Sequence, residues 1–499
     1  MSLLLGIDLG TSSVKALLMD IDGRMLGIAQ EHYDIDVSRN DWAEQSPEKW
    51  WAAAARTIRK LLTDTGADPR SIRGVGLSGQ MHGLVALDAA GRPVRPAIIW
   101  PDQRSKRQVD RINDVMERMS LAGETMNKAS TGFALASLLW MQENEPEQYA
   151  AVHKIVLPKD YIRYKLTGRL ASEATDASGS VAFNTRGRQW SYPLIEALDI
   201  AGTIFPECLE PLDIAGEVTT EAARETGLYP GTPVVCGGSD QCMQAVGNGV
   251  VEPGWVTSNI GTGGQVAAMV SNPIYDPQWR MNTFCHIFPG SWVIQGSNLN
   301  SGLALKWLKE NVLQAADFNI LMEMCSHVDA GSEGVLFLPY LAGERTPHMD
   351  PAARAGFLGM TLKHRKEHLV RAVVEGVVYA LRDSMELLGQ QGIAADKVIA
   401  SGGGAKHSVW LQCQADIFGK PVYTTKVKEE ACVGAAIVAG TGVGIYRSIS
   451  EGCNQAVALE ERYYEPDQRH QELYDHYYGL FKQLYIRNKE LFTNWTKNH

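Results

Sequence analysis

An aspartate next to a small polar turn is the first group of residues in the chain that could do chemistry. Asp8 precedes the stretch Gly10-Thr11-Ser12-Ser13, and apolar residues flank both. The bare N–H groups of such a turn can converge on a phosphate, and a carboxylate beside phosphates implies a divalent cation between them. The turn lacks the Gly-Lys-Ser/Thr ending of a P-loop, and the run VKALLM after it is typical of a strand–turn–strand hairpin. An ordinary hairpin with a polar tip is the alternative.

A second turn of this kind lies half a chain further on. The stretch LGTSSVKALLM (9–19) is matched by IGTGGQVAAMV (260–270), and Gly10 and Gly261 are 261 − 10 = 251 positions apart. Glycine turns at matching positions in two halves indicate a duplicated domain. We therefore predict an α/β fold of two similar lobes, residues 1–250 and 251–499. Each lobe would offer one phosphate hairpin to a shared cleft, which is a favoured ligand site.

The elements that must position these turns alternate between strand and helix. Ser46 and Pro47 are typical of a helix N-cap and first helical position. Three further patterns are a strand, loop and strand over 71–88, a buried strand and a helix joined by Gly-Gly-Ser-Asp over 233–249, and a strand, glycine turn and helix over 397–419. The region from about 445 onward predicts an amphipathic helix that packs back on the second lobe.

Composition excludes several classes of function. The net charge of −10 argues against a nucleic-acid surface, and 45% hydrophobic with 21% charged residues is ordinary for a soluble protein. No apolar run reaches the roughly 20 residues that cross a bilayer, and no signal peptide is visible at the N-terminus. The eight cysteines contain no CxxC pair, so we predict free thiols, no membrane association and a cytoplasmic protein.

Four segments in order resemble the FGGY family of carbohydrate kinases over almost the entire chain. They are WAEQSPEKWW (42–51), GQMHG (79–83), LPYLAGERTPH (338–348) and AGFLGMTLKHRKEHLVRAVVE (355–375), of which the last is similar to the C-terminal signature of the family. The resemblance is strongest to the branch that phosphorylates D-xylulose. It implies two lobes of the actin/hexokinase/Hsp70-type, ribonuclease H-like fold, and ATP-dependent phosphorylation of D-xylulose at O5 with Mg²⁺ as the cation.

The resemblance assigns roles on the nucleotide side of the cleft. It implies that Gly10 to Ser13 and Gly261, Thr262 and Gly263 hold the phosphates and that Asp8 faces the magnesium. Gly402, Gly403 and Gly404 would let the chain approach the adenine ring, although a glycine triplet also permits an ordinary tight turn. Gly302 and Lys306 would border the same pocket, with a solvated lysine as the alternative.

On the sugar side, the resemblance implies that Asp240 is the general base, where the alternative is a simple helix cap. Met81 and His82 match the sugar-binding pair, although a lone histidine is more often structural. Trp100, Asp102 and Arg104 resemble residues that line the sugar lobe; a local ion pair is the alternative for Asp102 and Arg104.

Two positions depart from the family pattern. Ser137 stands where the N-terminal signature usually has lysine, and Gln241 follows the catalytic aspartate where asparagine is common. We assign Gln241 to the substrate site. Both positions bear on the sugar lobe, so they keep open a kinase for another ketose or a polyol.

A second alternative is an actin- or Hsp70-type ATP switch that binds protein partners. The expected partners are a pentulose and ATP, without nucleic acid or membrane, and the expected assembly is a homodimer.

Overall fold

The structure is a computed structural model, and it describes residues 2–37 and 39–496 of the chain. Its first large sheet contains seven strands: β1 Leu3–Leu9, β2 Ser13–Asp20, β3 Met25–His32, β4 Ile72–Gly79, β5 Ile214–Glu217, β6 Pro233–Val235 and β7 Gly238–Ser239. The order is β5-β6-β4-β1-β2-β3, with β7 paired to β4. Strands β1, β2 and β3 are antiparallel neighbours, and β1 is parallel to β4. Residues 10–12 therefore connect the two strands of a hairpin, as predicted.

The second large sheet repeats this arrangement. Its strands are β8 Gly254–Ile260, β9 Gly264–Val270, β10 Asn282–Cys285, β11 Trp292–Asn298, β12 Ala395–Gly402 and β13 Val422–Tyr423. The order is β10-β11-β9-β8-β12-β13. An antiparallel hairpin, β8 with β9, again lies beside a parallel strand, here β12. The prediction of two similar α/β lobes is confirmed.

The main helices are α1 Pro47–Thr65, α2 Asp240–Gly247, α3 Gly302–Trp307, α4 Lys366–Gln390, α5 Ser408–Phe418, α6 Glu430–Gly442 and α7 Gln468–Thr496. Ser46 caps α1 as predicted, because its hydroxyl accepts a hydrogen bond from the N–H of Lys49. The apolar face of α1, which includes Trp50 and Ile58, packs mainly against β2 and β3. The C-terminal helix α7 packs on α4 and α5, and so on the second lobe, as predicted.

Helix α6 belongs to the second half of the chain but packs on the first sheet. It lies across β1, β4 and α2, and its sequence is rich in glycine and alanine, which allow close approach. A Cβ on Gly6 of β1 would lie 2.0 Å from the carbonyl oxygen of Cys432, and one on Gly434 would lie 1.9 Å from that of Met243. This packing fixes α2, and therefore Asp240, against the first sheet. The boundary near residue 250 stays a prediction.

Shorter elements surround the two sheets. Short strand pairs join 44–45 with 97–98, 85–87 with 154–156, 171–173 with 207–209, 183–184 with 189–190, and 336–338 with 356–358. The remaining α-helices are Lys106–Arg118, Ala122–Thr125, Ala134–Asn144, Pro146–Ala150, Pro158–Thr167, Ala174–Ser178, Tyr192–Ala197, Thr220–Thr226, Phe318–Ser326 and Ile449–Ala456. The eight cysteines are free. Within the described ranges, no helix is both long and apolar enough to cross a membrane.

Candidate active site

The first hairpin turn, residues 10–13, is closed by the N–H of Gly10, which donates to Ser13 O at 2.9 Å. Its carbonyl groups are occupied: the hydroxyl of Tyr33 donates to Gly10 O at 2.5 Å, and the side-chain amide of Gln45 donates to Thr11 O at 2.8 Å. Over residues 2–37 and 39–496, the N–H groups of Thr11 and Ser12 have no acceptor. Free N–H groups on a tight turn are suited to an anion.

The second hairpin turn, residues 261–263, has the same character. The N–H of Gly302 donates to Gly261 O at 2.9 Å, and the N–H of Leu303 donates to Thr262 O at 3.0 Å. The N–H groups of Thr262 and Gly263 find no acceptor in the described part of the chain. The start of α3 thus holds the turn, and its free N–H groups are suited to a second phosphate.

A cavity of about 330 Å³ lies beside the second turn. Predicted nucleotide-site residues on its wall are Gly261, Thr262, Gly302, Lys306, Gly403 and Gly404, accompanied by Phe318, His407 and Trp410. Gly402 has a φ of +75°, and a Cβ there would lie 2.7 Å from the carbonyl oxygen of Ile260. Its close approach to β8 therefore requires glycine. The cavity has glycine-lined and aromatic walls suited to a flat heterocycle.

Asp240 is the first residue of α2 and lies in the cleft between the lobes. It lines a cavity of about 230 Å³ together with Gly263 of the second turn and Ser297. One carboxylate oxygen accepts a hydrogen bond from the N–H of Gln241 at 2.7 Å. Burial and then the charge of Asp8 raise the pKa of Asp240 to about 7. A carboxyl with this pKa can accept a proton near neutral pH, which is the property a general base needs.

Asp8 lies near the end of β1, beside the first turn. Its carboxylate accepts a hydrogen bond from the hydroxyl of Ser78 at 2.7 Å, and burial is the largest cause that raises its pKa. Among the described residues, no three His, Cys, Asp or Glu side chains form a metal site. Magnesium, however, is commonly held by one or two carboxylates together with substrate phosphates. Two interacting carboxylates, Asp8 and Asp240, fit that requirement.

Met81 and His82 follow β4 at the same edge of the first sheet. Met81 is buried against Ala267, Phe284 and Val293 of the second lobe. The His82 Nδ1 is 2.7 Å from Gly179 O, so this nitrogen carries the proton and donates. The ring stacks on Phe133 at 4.0 Å, and burial lowers the pKa of His82 to about 4. His82 is therefore neutral at physiological pH and keeps Nε2 as an acceptor for a hydroxyl group.

Trp100 lies near the first turn, because its Nε1 donates to Thr11 Oγ1 at 2.9 Å. Its side chain is 44% exposed, which leaves ring surface for a ligand. Asp102 and Arg104 form a local ion pair, which was one of the two interpretations of these residues. The Arg104 Nη2 is 2.7 Å from Asp102 Oδ2, and both side chains are buried.

Arg104 is further enclosed by neighbours other than Asp102. The Glu44 carboxylate lies 2.7 Å from its Nη1, and its Cζ lies 3.6 Å from the Trp42 ring. This cluster holds the loop that carries Trp100. A direct role of Asp102 and Arg104 in binding sugar stays a prediction.

The two positions that depart from the family pattern lie in different surroundings. Ser137 is buried in the helix Ala134–Asn144. Gln241 lies in the cleft, where its Oε1 accepts a hydrogen bond from Gln265 of β9 at 2.6 Å. Gln265 also donates to Gln295 of β11. Gln241 therefore connects α2 with the second sheet one residue after Asp240.

Several residues at the site were not predicted from the sequence. Lys15 forms an ion pair with Glu429 at 2.6 Å and lies near Asp8, and Tyr33 supports the first turn. Gln265 lines the cavity of Asp240 from the second lobe, and Arg345 precedes Thr346, which is hydrogen-bonded to Ser297 of the same cavity. Arg345 lies in the segment LAGERTPH, which pointed to the family branch without assigning this residue a role.

Both halves of the chain match family models. Residues 3–247 match the N-terminal domain of the FGGY family of carbohydrate kinases, and residues 256–443 match its C-terminal domain.

Individual proteins are similar over nearly the full length. A xylulose kinase from Staphylococcus epidermidis is 35% identical over 98% of this chain and 97% of its own. A gluconokinase from Bacillus subtilis is 31% identical over 88% of this chain and 87% of its own. The crystal structure of a xyloylose kinase from Brucella ovis superposes with a TM-score of 0.92 at 32% identity, over 98% of this chain and 100% of that one.

Proposed function

The chain belongs to the FGGY family of carbohydrate kinases, and from this premise we propose that it transfers the γ-phosphoryl group of ATP to O5 of D-xylulose. The observation that carries the proposal is the cavity that Asp240 and the second hairpin turn line together. It brings a carboxyl with a pKa near 7 next to backbone N–H groups suited to phosphate. The xylulose kinases among the relatives support the choice of sugar.

In the proposed reaction, Asp240 accepts the proton of the sugar hydroxyl as O5 bonds to the γ-phosphorus. The bond from this phosphorus to the bridging oxygen of ADP breaks at the same time. The two turns hold the phosphates through the N–H groups of Thr11, Ser12, Thr262 and Gly263. Most of the catalysis in such a transfer comes from positioning and electrostatic stabilisation.

The FGGY family implies ATP as a substrate and generally a divalent metal; we propose Mg²⁺. This cation, when bound, neutralises phosphate charge. Asp8 is the residue that we propose holds it. Gly402 to Gly404 and Lys306 would border the adenosine.

The sugar would lie between the neutral His82 and the exposed ring of Trp100. Trp100 offers an apolar surface to the sugar carbons, and the His82 Nε2 accepts from a hydroxyl group. Met81 and Gln241 would complete the wall of this pocket. A homodimer stays our prediction for the assembly, and analytical ultracentrifugation would test it.

A panel of sugars in a coupled ADP-release assay tests the proposed substrate. D-Xylulose, L-ribulose, gluconate, glycerol and erythritol are compared by kcat/KM, and D-xylulose should give the highest value. A large preference for another compound would contradict the proposal. ATP turnover should rise strongly when the pentulose is added; turnover that ignores every sugar would favour an ATP switch instead.

A further inference from the structure

Arg345 carries a guanidinium group that has no partner among the residues that the structure describes. Neither an ion pair nor a hydrogen bond is formed by its side chain within those ranges, and the residue is exposed. Two other arginines of this region are occupied. Arg104 is bound by Asp102 and Glu44, and Arg280 is bound by Asp276 at 2.9 Å.

The backbone on both sides of Arg345 is fixed against the end of β11. The carboxylate of Glu344 accepts from the N–H groups of Leu299 at 2.8 Å and of Arg345 itself at 2.7 Å. The N–H of Thr346 donates to Ser297 O at 3.0 Å, and its hydroxyl accepts from the N–H of Ser297 at 2.9 Å. Arg345 is therefore held beside Ser297, which lines the same cavity as Asp240 and the second turn.

The charge of Arg345 is felt on the sugar side of the cleft. Its charge contributes, after burial, to the low pKa of His82, which belongs to the first lobe. The backbone of Arg345 is thus anchored beside the cavity that contains Asp240, and its charge acts on His82 across the cleft. In the proposed function, the sugar hydroxyl and the γ-phosphate must meet in this part of the cleft.

We infer that Arg345 binds the phosphoryl group during transfer and then holds it as the phosphate of the sugar product, an inference that rests on the proposed function. A guanidinium group matches two phosphate oxygens in a bidentate arrangement. Arg345 neither gives nor takes a proton: the proton of the sugar hydroxyl goes to Asp240, the new O–P bond forms, and ADP leaves. The positive charge offsets the negative charge that the phosphoryl group brings beside Asp8 and Asp240.

Two substitutions, Arg345→Gln and Arg345→Lys, test this inference. Loss of a preorganised donor to the reacting group typically costs about 10²–10³ in kcat, and we expect a loss of that size for Arg345→Gln. Arg345→Lys keeps the charge but not the fork, so its kcat should be intermediate. Calorimetry should give nearly parental affinity for D-xylulose, whereas affinity for D-xylulose 5-phosphate should fall about tenfold or more. Arg354→Gln, the same change further along the same loop, should leave all three quantities near the parental values.

Chemical rescue separates a phosphate contact from a structural role. Arg345→Ala should regain part of its kcat when guanidinium ion is added at millimolar concentration, while the Arg354→Gln control should show no gain. The inference is overturned if kcat stays within a few-fold in Arg345→Gln, or if D-xylulose affinity falls while product affinity does not. A lower melting temperature for Arg345→Gln that Arg345→Lys shares would also overturn it, since the side chain would then be structural.

The parent enzyme shows which proposal has failed. If it prefers another sugar in the substrate panel, the proposed substrate is wrong, and the same variants are assayed with that sugar and its phosphate. The inference about Arg345 then stands or falls on the same comparison of kcat, sugar affinity and product affinity.

Discussion

The two hairpins have the same pattern of strand pairing but differ in the charge of their side chains. In the first, Asp8 of β1 is paired across the hairpin with Lys15, and Ser78 is its neighbour on the parallel strand β4. In the second, Asn259 of β8 occupies the equivalent position, one residue before the end of its strand. It is paired with Gln265, and its neighbour on the parallel strand β12 is Ser401.

The neutral amide in the second hairpin contacts the helix that carries Asp240. The side-chain amide of Asn259 donates to Gln244 of α2 at 3.0 Å, and Gln265 donates to Gln241 of the same helix. Asp8, by contrast, acts on Asp240 through its charge. Each lobe therefore contributes one hairpin turn whose N–H groups are suited to phosphate. We interpret the first hairpin as the part that handles cation and proton, and the second as the part that orients the base.

Of the single substitutions that test this comparison, replacement of Asp240 should lower kcat the most. Asp240→Asn keeps the shape but cannot accept a proton, and general-base catalysis typically contributes roughly 10²–10⁴ in rate. We expect kcat to fall at least about a hundredfold, with ATP affinity unchanged, as measured by steady-state kinetics and calorimetry.

Stability provides the control for Asp240→Asn. The folded-state pKa of Asp240 is raised above its ordinary value, so ionisation at neutral pH destabilises the folded state. The uncharged variant should consequently have an equal or higher free energy of unfolding at pH 7 than the parent. A kcat within a few-fold of the parent, in a variant that folds normally, would mean that Asp240 is only a helix cap.

Asp8→Asn makes the first hairpin resemble the second. Loss of a residue that supports a metal typically costs about 10–100-fold in affinity or activity. We expect a loss of kcat in this range and a higher magnesium concentration for half-maximal rate, while D-xylulose affinity stays near the parental value. An equal loss of sugar affinity in calorimetry would mean that Asp8 is structural.

The backbone elements that form the site were predictable from the sequence, whereas the pKa values and ion pairs within the site were not. Glycine turns, the Ser46 cap and the helix after Gly-Gly-Ser-Asp are local signals, and each was confirmed. The pKa of Asp240 depends on burial and on Asp8, which is far away in sequence. Lys15 and Glu429, likewise, meet only because α6 packs on the first sheet. Local patterns carry no information on such contacts. The Glu44 and Trp42 side chains that enclose Arg104 are likewise distant from it in sequence, so the sequence alone did not decide between the two interpretations of Asp102 and Arg104.

The pH dependence of kcat/KM tests the electrostatic coupling between the carboxylates of Asp8 and Asp240. The base is active when ionised, so the rate should be constant above a pKa near 7 and fall about tenfold per pH unit below it. The apparent pKa belongs to the pair Asp8 and Asp240. In Asp8→Asn the like charge is gone, so the pH at which kcat/KM begins to fall should be lower. A limb that keeps its position in Asp8→Asn would contradict the coupling.

Asn259→Ala should have the smallest effect, because the second hairpin contributes a neutral contact. One hydrogen bond to Gln244 is lost, and such a bond contributes about 1 kcal/mol to stability. We expect the free energy of unfolding in urea to fall by about that amount and kcat to change only a few-fold, with no change in magnesium dependence. Asn259 does not contribute to the raised pKa of Asp240. The fall of kcat/KM at low pH, the acid limb of the pH profile, should therefore stay at the same pH. Asp8→Ala is the matched variant at the equivalent position, and it should shift both the magnesium dependence and the acid limb. If Asn259→Ala shifted them as well, the division of roles between the two hairpins would be wrong, and both would act on the cation and the base.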